Sequence, residues 1–323
     1  MSFFAAKDFS LRLRILQRQS HAKNVDIALQ DVILTHTIQH MANAGTLDLL
    51  VFKGGSMLRR NILGKDARFS EDLDFNLAKA KVIDIDGTLR SIAEKMSGLV
   101  AGVDIRLEEP DGIKRSAHGN TTQFNVVATT PQIRPIKVKI EIDHRAEPIL
   151  EPVLLRQKEL PVKMLGFDPA SINCLQIEEV IGEKIRASFQ RTRLRDLYDL
   201  NALSTQDFDR DIARKIAVLK LWESPESSPD VFSGGNLIGS MERKAINNAY
   251  DPDKRHLIPF LQGEGGLDVG ATVSSLKAKL TFLSGMTTLE RKVASDRERR
   301  DPGPYEELKE QVRGAAHSQT FRP

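Results

Sequence analysis

The strongest constraint on the fold lies between residues 49 and 75, where a glycine pair follows a short apolar run and precedes a D-x-D motif. Residues 49–52 are apolar and predict a strand that leads into the turn Gly54-Gly55-Ser56. Glycine lets backbone amides approach a ligand closely, and the helix predicted near residues 56–63 would direct its free N–H groups at an anion. The segment therefore predicts a strand, a turn and a helix start able to hold a phosphate.

The D-x-D motif predicts a second strand with two carboxylates on one face. Asp72 and Asp74 alternate with Leu73 and Phe75, and alternate residues of a strand point the same way. Two carboxylates about 5 Å apart repel by roughly 3 kcal/mol at an effective dielectric near 20, and a divalent cation is the simplest partner for them. A phosphate-binding turn beside such a pair favours phosphoryl or nucleotidyl transfer.

Composition limits the class of protein. A chain of 323 residues is long enough for a sizeable core and for about two domains. Cys174 is the single cysteine, which excludes an internal disulfide and a cysteine-clustered zinc site. No apolar run approaches the roughly 20 residues that span a bilayer, and the N-terminus lacks the long apolar segment of a secretory signal. We therefore expect a cytoplasmic protein without a membrane partner, and the net charge of +3 does not by itself indicate nucleic acid.

The periodicity of the chain predicts an α+β protein with two lobes. Residues 8–44 and 88–100 show helical spacing, residues 103–143 alternate with a period of two, and residues 270–290 are again helical. Residues 175–203 predict either one long helix or two helices broken near Arg193. We expect a lobe at residues 1–160, with N-terminal helices and a mixed sheet, and a mainly helical lobe at residues 161–323 that ends in a charged, loosely ordered tail.

Four segments occur in the order found in a known family. They are Phe52-Lys-Gly-Gly-Ser-Met-Leu58, Arg68-Phe-Ser-Glu-Asp-Leu-Asp-Phe75, the strand pattern at residues 137–143, and Glu183-Lys184 with Arg195-Asp-Leu-Tyr-Asp-Leu200. Together they resemble the AbiEii/AbiGii nucleotidyltransferase toxins, whose pattern is roughly F-K-G-G-[TS]-x-L, R-x-S-x-D-[LI]-D-F, E-K and R-D-L-Y-D-L. The resemblance covers residues 25–203 and implies a two-lobed nucleotidyltransferase fold like that of DNA polymerase β.

The resemblance assigns roles to the glycine turn and the acids. It implies that Asp72 and Asp74 bind Mg²⁺ (or Mn²⁺) with a third acid on a neighbouring strand, for which Glu141 and Asp143 both remain candidates. Those two also fit an ordinary exposed strand face of alternating charge. Gly54, Gly55 and Ser56 would hold the nucleotide phosphates, although Ser56 also suits a helix N-cap. Lys53 would face either phosphate or solvent.

The fourth segment supplies the basic residues. On a continuous helix, one stripe would contain Lys184, Arg191, Arg195 and Asp199, and three cations on a stripe suit a triphosphate or an RNA backbone. The alternative is a solvated stripe with an Arg195–Asp199 ion pair, which contributes only tenths of a kcal/mol. The resemblance favours the functional alternative: Lys184 would bind nucleotide phosphates, and Asp196 would help activate the attacking hydroxyl or fix the metal-bound substrate, with Asp199 as the competing candidate.

These observations predict a metal-dependent nucleotidyltransferase that moves a nucleoside monophosphate from a nucleoside triphosphate to an acceptor. The resemblance implies that the acceptor is RNA, at the 3′ end of a transfer RNA, that translation is blocked, and that a separately encoded antitoxin opposes a toxin used in phage defence. The same residues would also serve transfer to a protein hydroxyl. A nuclease and a non-catalytic RNA- or partner-binding protein on this fold are weaker alternatives. The sequence does not identify the nucleotide, the antitoxin, the oligomeric state or the role of residues 204–323.

Overall fold

The chain forms two compact units in a computed structural model that describes residues 3–4, 8–78, 82, 84–110, 112–117, 119–144, 147–158, 165–224, 230–261 and 267–320. The sheet unit comprises residues 1–148, 152–175 and 259–265, and the helical unit comprises residues 149–151, 176–258 and 266–323. The sequence predicted a boundary between the lobes after residue 160. In the structure, the longest segment of the helical unit begins later, at Gln176.

The sheet unit holds every described strand and the first four helices. The helices are α1 (Phe9–Gln19), α2 (Val25–Asn43), α3 (Gly54–Met57) and α4 (Ile85–Glu94). The strands are β1 (Leu50–Lys53), β2 (Asp72–Leu77), β3 (Gly98–Val100), β4 (Val103–Leu107), β5 (Ile113–Arg115), β6 (Thr121–Thr130), β7 (Ile133–Asp143), β8 (Val153–Leu155) and β9 (Ile172–Cys174). α3 continues into a π-helical segment at Leu58–Ile62.

The described strands form one mixed nine-stranded sheet in the order β3-β4-β6-β7-β2-β1-β9-β8, with β5 also paired to β6. β2 and β7 are parallel, as are β1 and β9, whereas β1 and β2 are antiparallel. The central strands are apolar on one face, where Leu73, Phe75, Ile140 and Ile142 are fully buried. The alternation therefore directs the acidic residues to the opposite face.

The helical unit contains the remaining helices: α5 (Ile177–Gln190), α6 (Leu194–Leu203), α7 (Arg210–Glu223), α8 (Gly234–Ile246), α9 (Asp251–Leu257), α10 (Val269–Lys279), α11 (Thr288–Ser295) and α12 (Pro302–Thr320). α5 packs closely on α7, because a Cβ at Gly182 would lie 2.7 Å from Ile216. The buried Glu179 accepts hydrogen bonds from the backbone amides of Ile149 and Leu150 and pairs with Lys220 at 2.8 Å. The short segment Ile149–Glu151 is thereby fixed within this unit.

The α+β architecture predicted from the sequence is confirmed, and three local predictions need correction. The helical region at residues 8–44 divides at residues 20–24, because Asn24 caps α2 through a hydrogen bond from the Ile27 amide. The helix predicted at residues 88–100 ends at Glu94, and residues 98–100 form β3 against β4. The short charged helix expected near the C-terminus is longer than predicted, with 19 residues from Pro302 to Thr320, and the expected loose end, residues 321–323, lies outside the described residues.

None of the described helices combines the length and the apolar character needed to cross a membrane.

Candidate active site

The D-x-D strand lies at the centre of a row of charged side chains. Its register places Asp74 opposite Lys53 on β1 and opposite Glu141 on β7, whereas Asp143 lies opposite Asn76. We call Asp72, Asp74, Glu141 and Asp143 the carboxylate cluster. The register brings Glu141, rather than Asp143, beside the D-x-D pair.

Gly54 brings bare backbone against this cluster, and Gly55 lies against the neighbouring side chains of Arg68 and Ser70. Gly54 has φ +76°, a left-handed conformation that side chains disfavour. A Cβ there would also lie 2.2 Å from Asp74 Oδ2, and a Cβ at Gly55 would lie 2.6 Å from Arg68 Nη2. No larger residue fits at either position without displacing a side chain of the site. Gly54 is therefore in close contact with the D-x-D motif, and the predicted approach of these glycines to a phosphate stays a prediction.

Ser56 lies inside α3 and not at its N-cap. It is the third residue of α3, and Lys53 holds the N-cap position, so the N-cap alternative was wrong. The Ser56 side chain is fully buried, and its hydroxyl donates to the backbone carbonyl of Asp72. Ser70 donates to Asp72 Oδ1 at 2.9 Å. These two hydroxyls fix the start of β2 and the orientation of the first acid, and the Ser56 contact ties α3 to that strand.

The two lysines of the carboxylate cluster do not fully balance its negative charge, and the imbalance is felt at Asp74. Lys139 contacts Asp72 at 3.5 Å and Glu141 at 3.4 Å, and Lys53 contacts Asp143 at 3.3 Å. Desolvation of the carboxylate, followed by repulsion from Asp72, raises the pKa of Asp74 to about 7, although Lys53 opposes the shift. Asp74 is therefore the acid with the strongest need for an additional cation.

The chemistry of the donor set suits a hard divalent cation, but its present spacing does not. Carboxylate oxygens are the ligands that Mg²⁺ and Mn²⁺ prefer, and the Lys139 ammonium already bridges two of the acids as an internal cation. Across the part of the chain that the structure describes, no group of three or more His, Cys, Asp or Glu side chains is gathered closely enough to hold a metal ion. Glu141 and Asp143 are instead turned to lysines, so a bound metal would have to replace a lysine contact.

The helical unit contains a second charged group, the Lys184 cluster, formed by Lys184, Arg191, Asp196 and Asp199. Lys184 Nζ lies 2.7 Å from Asp199 Oδ2 and 3.3 Å from Asp196 Oδ1. Arg191 donates to both oxygens of Asp196, from Nε at 2.8 Å and from Nη2 at 3.1 Å. Asp196 is fully buried. Burial by itself would raise the pKa of Asp196, but Lys184 and Arg191 hold it well below its usual range.

A break between α5 and α6 creates this cluster and overturns the predicted stripe. Residues 191–193 are extended between the two helices, so Lys184, Arg191, Arg195 and Asp199 do not lie on one continuous helix. The alternative of two helices broken near Arg193 is correct. The break allows Arg191 to turn back onto Asp196, whereas Arg195 is exposed and acts on Asp196 through its charge. The alternative of a solvated stripe predicted an ion pair between Asp199 and Arg195. The described ion pair of Asp199 is instead with Lys184.

The motifs in these two clusters are those of a single protein family. Residues 37–262, well over half of the chain, match the family described as "Nucleotidyl transferase AbiEii toxin, Type IV TA system". The chain belongs to this AbiEii family. The resemblance seen in the sequence is thus confirmed, and the family is one of nucleotidyltransferase toxins of type IV toxin–antitoxin systems.

Comparison of structures confirms the nucleotidyltransferase fold. The chain is similar to MenT4, a nucleotidyltransferase toxin from Mycobacterium tuberculosis H37Rv, with a TM-score of 0.74 and 22% sequence identity. The similarity covers 93% of this chain and 99% of MenT4. A comparison with curated protein sequences finds no significant match.

Three residues beyond the recognised motifs support the Lys184 cluster of this AbiEii protein. Asp253 accepts hydrogen bonds from the Leu194 amide at 2.9 Å and from Arg193 at 3.0 Å, which caps α6. Lys244 donates to the carbonyl of Arg191 at 3.0 Å. Tyr250 is buried, and burial together with the charge of Asp196 raises its pKa. No sequence pattern pointed to these residues, which lie about 50–60 positions from their partners and carry no motif spacing.

Proposed function

We propose that this protein is a metal-dependent nucleotidyltransferase toxin that transfers a nucleoside monophosphate from a nucleoside triphosphate to the 3′ end of a transfer RNA. The modified RNA would no longer support translation, and a separately encoded antitoxin would restrain the toxin in the cytoplasm. Phage defence is a further role that the family resemblance supports. The observation that carries the proposal is the juxtaposition of the bare Gly54 backbone with Asp74, in register with Glu141, in an AbiEii chain.

In the proposed reaction, the acceptor's 3′-hydroxyl oxygen forms a bond to the α-phosphorus. The bond from that phosphorus to the bridging oxygen of the β-phosphate breaks, its electron pair leaves with pyrophosphate, and the hydroxyl proton passes to solvent. Mg²⁺ or Mn²⁺ on the acids would lower the pKa of the hydroxyl and offset the charge that develops on the phosphate oxygens. The leaving oxygen and the attacking oxygen lie roughly in line across phosphorus.

The residues of the sheet unit would hold the metal and the triphosphate. Asp72, Asp74 and Glu141 are the proposed metal ligands, and Glu141 is preferred to Asp143 because it lies directly opposite Asp74. The backbone of Gly54 and Gly55 would contact the phosphates, since Gly54 lies against Asp74 and Gly55 lies against the Arg68 guanidinium. Ser56 would act by fixing Asp72, and its hydroxyl could still accept a hydrogen bond. Lys53 would add positive charge beside the phosphates once Asp143 releases it.

The residues of the helical unit would supply cations and hold them in place. Lys184, Arg191 and Arg195 are the proposed phosphate-binding residues, since both amine and guanidinium groups bind phosphate well. A carboxylate with a pKa as low as that of Asp196 is a poor proton acceptor. We therefore assign Asp196 the role of orienting Lys184 and Arg191, with Asp199 as the second partner of Lys184, rather than that of a general base.

The proposal is tested by incubating the protein with each radiolabelled nucleoside triphosphate, Mg²⁺ and total transfer RNA. We expect label at RNA 3′ ends, with a preference that identifies the nucleotide, and no label with the Asp74→Ala variant. Label on protein would assign the transfer to a protein hydroxyl instead. Shortened RNA would indicate a nuclease, and RNA binding without any triphosphate turnover would indicate a non-catalytic protein.

A further inference from the structure

The row of side chains that contains Asp74 and Glu141 continues across the sheet beyond the acids. On β6, Gln123 lies directly opposite Glu141, and on β5, Lys114 lies directly opposite Gln123. One residue pair further along, Asn125 lies opposite Lys139. Since the strands are about 4.8 Å apart, Gln123 lies about 10 Å from Asp74, on the side away from Gly54.

The two amide side chains form a recognition pair. Gln123 Nε2 donates to Asn125 Oδ1 at 2.7 Å, which leaves the Gln123 carbonyl oxygen and the Asn125 amide nitrogen to face an incoming group. An acceptor and a donor side by side suit a ribose hydroxyl or the edge of a base. Both side chains are half-buried, so their orientation is more restricted than that of amides on a fully exposed strand.

The geometry of transfer places the acceptor on this side. The phosphates that leave as pyrophosphate lie, in the proposed function, against Gly54 and Gly55, on the β1 side of Asp74. The attacking hydroxyl must approach from roughly the opposite direction. The strand order β1-β2-β7-β6 therefore brings the acceptor over Glu141 and onto β6.

We propose that Gln123 and Asn125 bind the 3′-terminal nucleotide of an RNA acceptor and that Lys114 binds the phosphate that precedes it. This inference rests on the proposed function and adds the surface that receives the acceptor. A protein acceptor is less suited to this surface, because Lys114 is an exposed cation at the end of the row. RNA carries a phosphate at every nucleotide, whereas a protein segment carries none.

The side chains of Gln123, Asn125 and Lys114 are suited to binding an RNA and not to catalysis. Gln123, Asn125 and Lys114 carry no group that the transfer reaction consumes, and they lie two or three strands away from the D-x-D motif. Their loss should weaken binding of the RNA and leave the nucleoside triphosphate site intact. This separation makes the inference testable without turnover.

The test uses the full-length protein and a fluorescent single-stranded oligoribonucleotide that ends in a 3′-deoxynucleotide, so that it binds but cannot be extended. We compare the Gln123→Met/Asn125→Leu double variant, which keeps side-chain bulk, with the wild type by fluorescence anisotropy. We expect at least a tenfold weaker affinity for the RNA and a less than twofold change in nucleoside triphosphate affinity. For Lys114→Met we expect the slope of log affinity against log salt to fall by about one.

Matched controls are Lys95→Met and Asn43→Leu, which remove exposed groups at the ends of α4 and α2 in the same unit. Unchanged RNA affinity in the β6 variants, or a loss equal to that of both controls, would overturn the inference. An equal loss of triphosphate affinity would also overturn it, because it would place these residues at the nucleotide. Failure of the proposed function would appear separately, as wild-type protein that binds this RNA but transfers no label to an extendable one.

Discussion

The two charged clusters differ in how completely they are neutralised. In the helical unit, two cations satisfy the buried Asp196, and Asp199 shares Lys184. In the sheet unit, the pKa of Asp74 is raised to about 7 because desolvation and Asp72 outweigh the attraction of Lys53. The Lys184 cluster is thus complete without a ligand, whereas the carboxylate cluster is stabilised further by any cation that binds it. The Lys184 cluster therefore contributes to stability by itself, whereas the carboxylate cluster is costly to the fold until a cation binds.

The largest expected effect separates activity from stability at Asp74. For Asp74→Asn we expect transfer to fall by at least about 1,000-fold, equivalent to roughly 4 kcal/mol, because a proposed metal ligand is lost. The free energy of unfolding should change by less than about 1 kcal/mol, since removing the charge also relieves repulsion with Asp72. Labelled-nucleotide transfer and urea unfolding measure the two effects. A strong loss of stability would show that Asp74 is a structural acid and would remove the contrast between the clusters.

Asp196→Asn should have the opposite effect to Asp74→Asn, because it should lower the free energy of unfolding substantially. It leaves Arg191 without its bidentate partner and Lys184 with Asp199 alone, and breaking a buried ion pair costs about 3–5 kcal/mol. Arg191 is 50% exposed, so water compensates in part and we expect about 2–3 kcal/mol. Urea unfolding provides the measurement, with Glu242→Gln as a control that removes one partner of an exposed pair with Lys277 and should cost less than about 1 kcal/mol.

The pH dependence of Asp196→Asn provides a second readout. The folded-state pKa of Asp196 is lowered, so its contribution to stability is present above the unfolded pKa of about 4 and is lost as pH falls toward the folded value. As the pH falls below 4, the free energy of unfolding should therefore decrease less in the variant than in the wild type. Parallel acid-unfolding curves would mean that Asp196 is not held in its ionised form.

Binding of Mg²⁺ should distinguish the two clusters by a change in melting temperature, an effect smaller than those of the substitutions above. A ligand present at ten times its dissociation constant stabilises the folded state by about 1.4 kcal/mol. We expect Mg²⁺ to raise the melting temperature of the wild type and of Asp196→Asn by a few degrees. It should raise that of Asp74→Asn much less, since only two of the three proposed ligands remain. Differential scanning calorimetry with and without EDTA makes the measurement, and an equal shift in all three proteins would place the metal elsewhere.

The sheet side of the site could be predicted from sequence because strand periodicity carries the information. Once Asp72 and Asp74 alternate with apolar residues, their common face follows, and so does the face of Glu141. The choice between Glu141 and Asp143 could not be made, since it depends on the register of β2 against β7. Register is a property of two strands that lie some 60 residues apart in sequence, and the pattern within one strand does not contain it.

The helical side was predicted less well because its geometry depends on distant contacts. Residues 177–203 have good helical periodicity throughout, and nothing in their sequence requires the extended backbone at Arg191–Arg193. The break is stabilised by Asp253, which caps α6, and by Lys244, which holds the carbonyl of Arg191. The family motif pointed to Lys184, Asp196 and Asp199, which the structure brings together. The predicted stripe of charges held only for the alternative of one continuous helix, whereas the observed alternative of two helices left the pairing of the charges open.

The smallest expected effect tests whether that distant support matters. Lys244→Met removes the hydrogen bonds to the carbonyls of Ser188 and Arg191, and we expect a loss of about 1 kcal/mol in the free energy of unfolding. Because Arg191 follows the end of α5 directly, transfer activity should fall about threefold to tenfold, as a KM increase for the nucleoside triphosphate if Arg191 binds phosphate. Lys244→Arg keeps a donor and should recover most of the activity. If Lys244→Met lowers stability but leaves KM unchanged, the contacts of Lys244 support the fold alone, and binding of the nucleoside triphosphate does not depend on the position of Arg191.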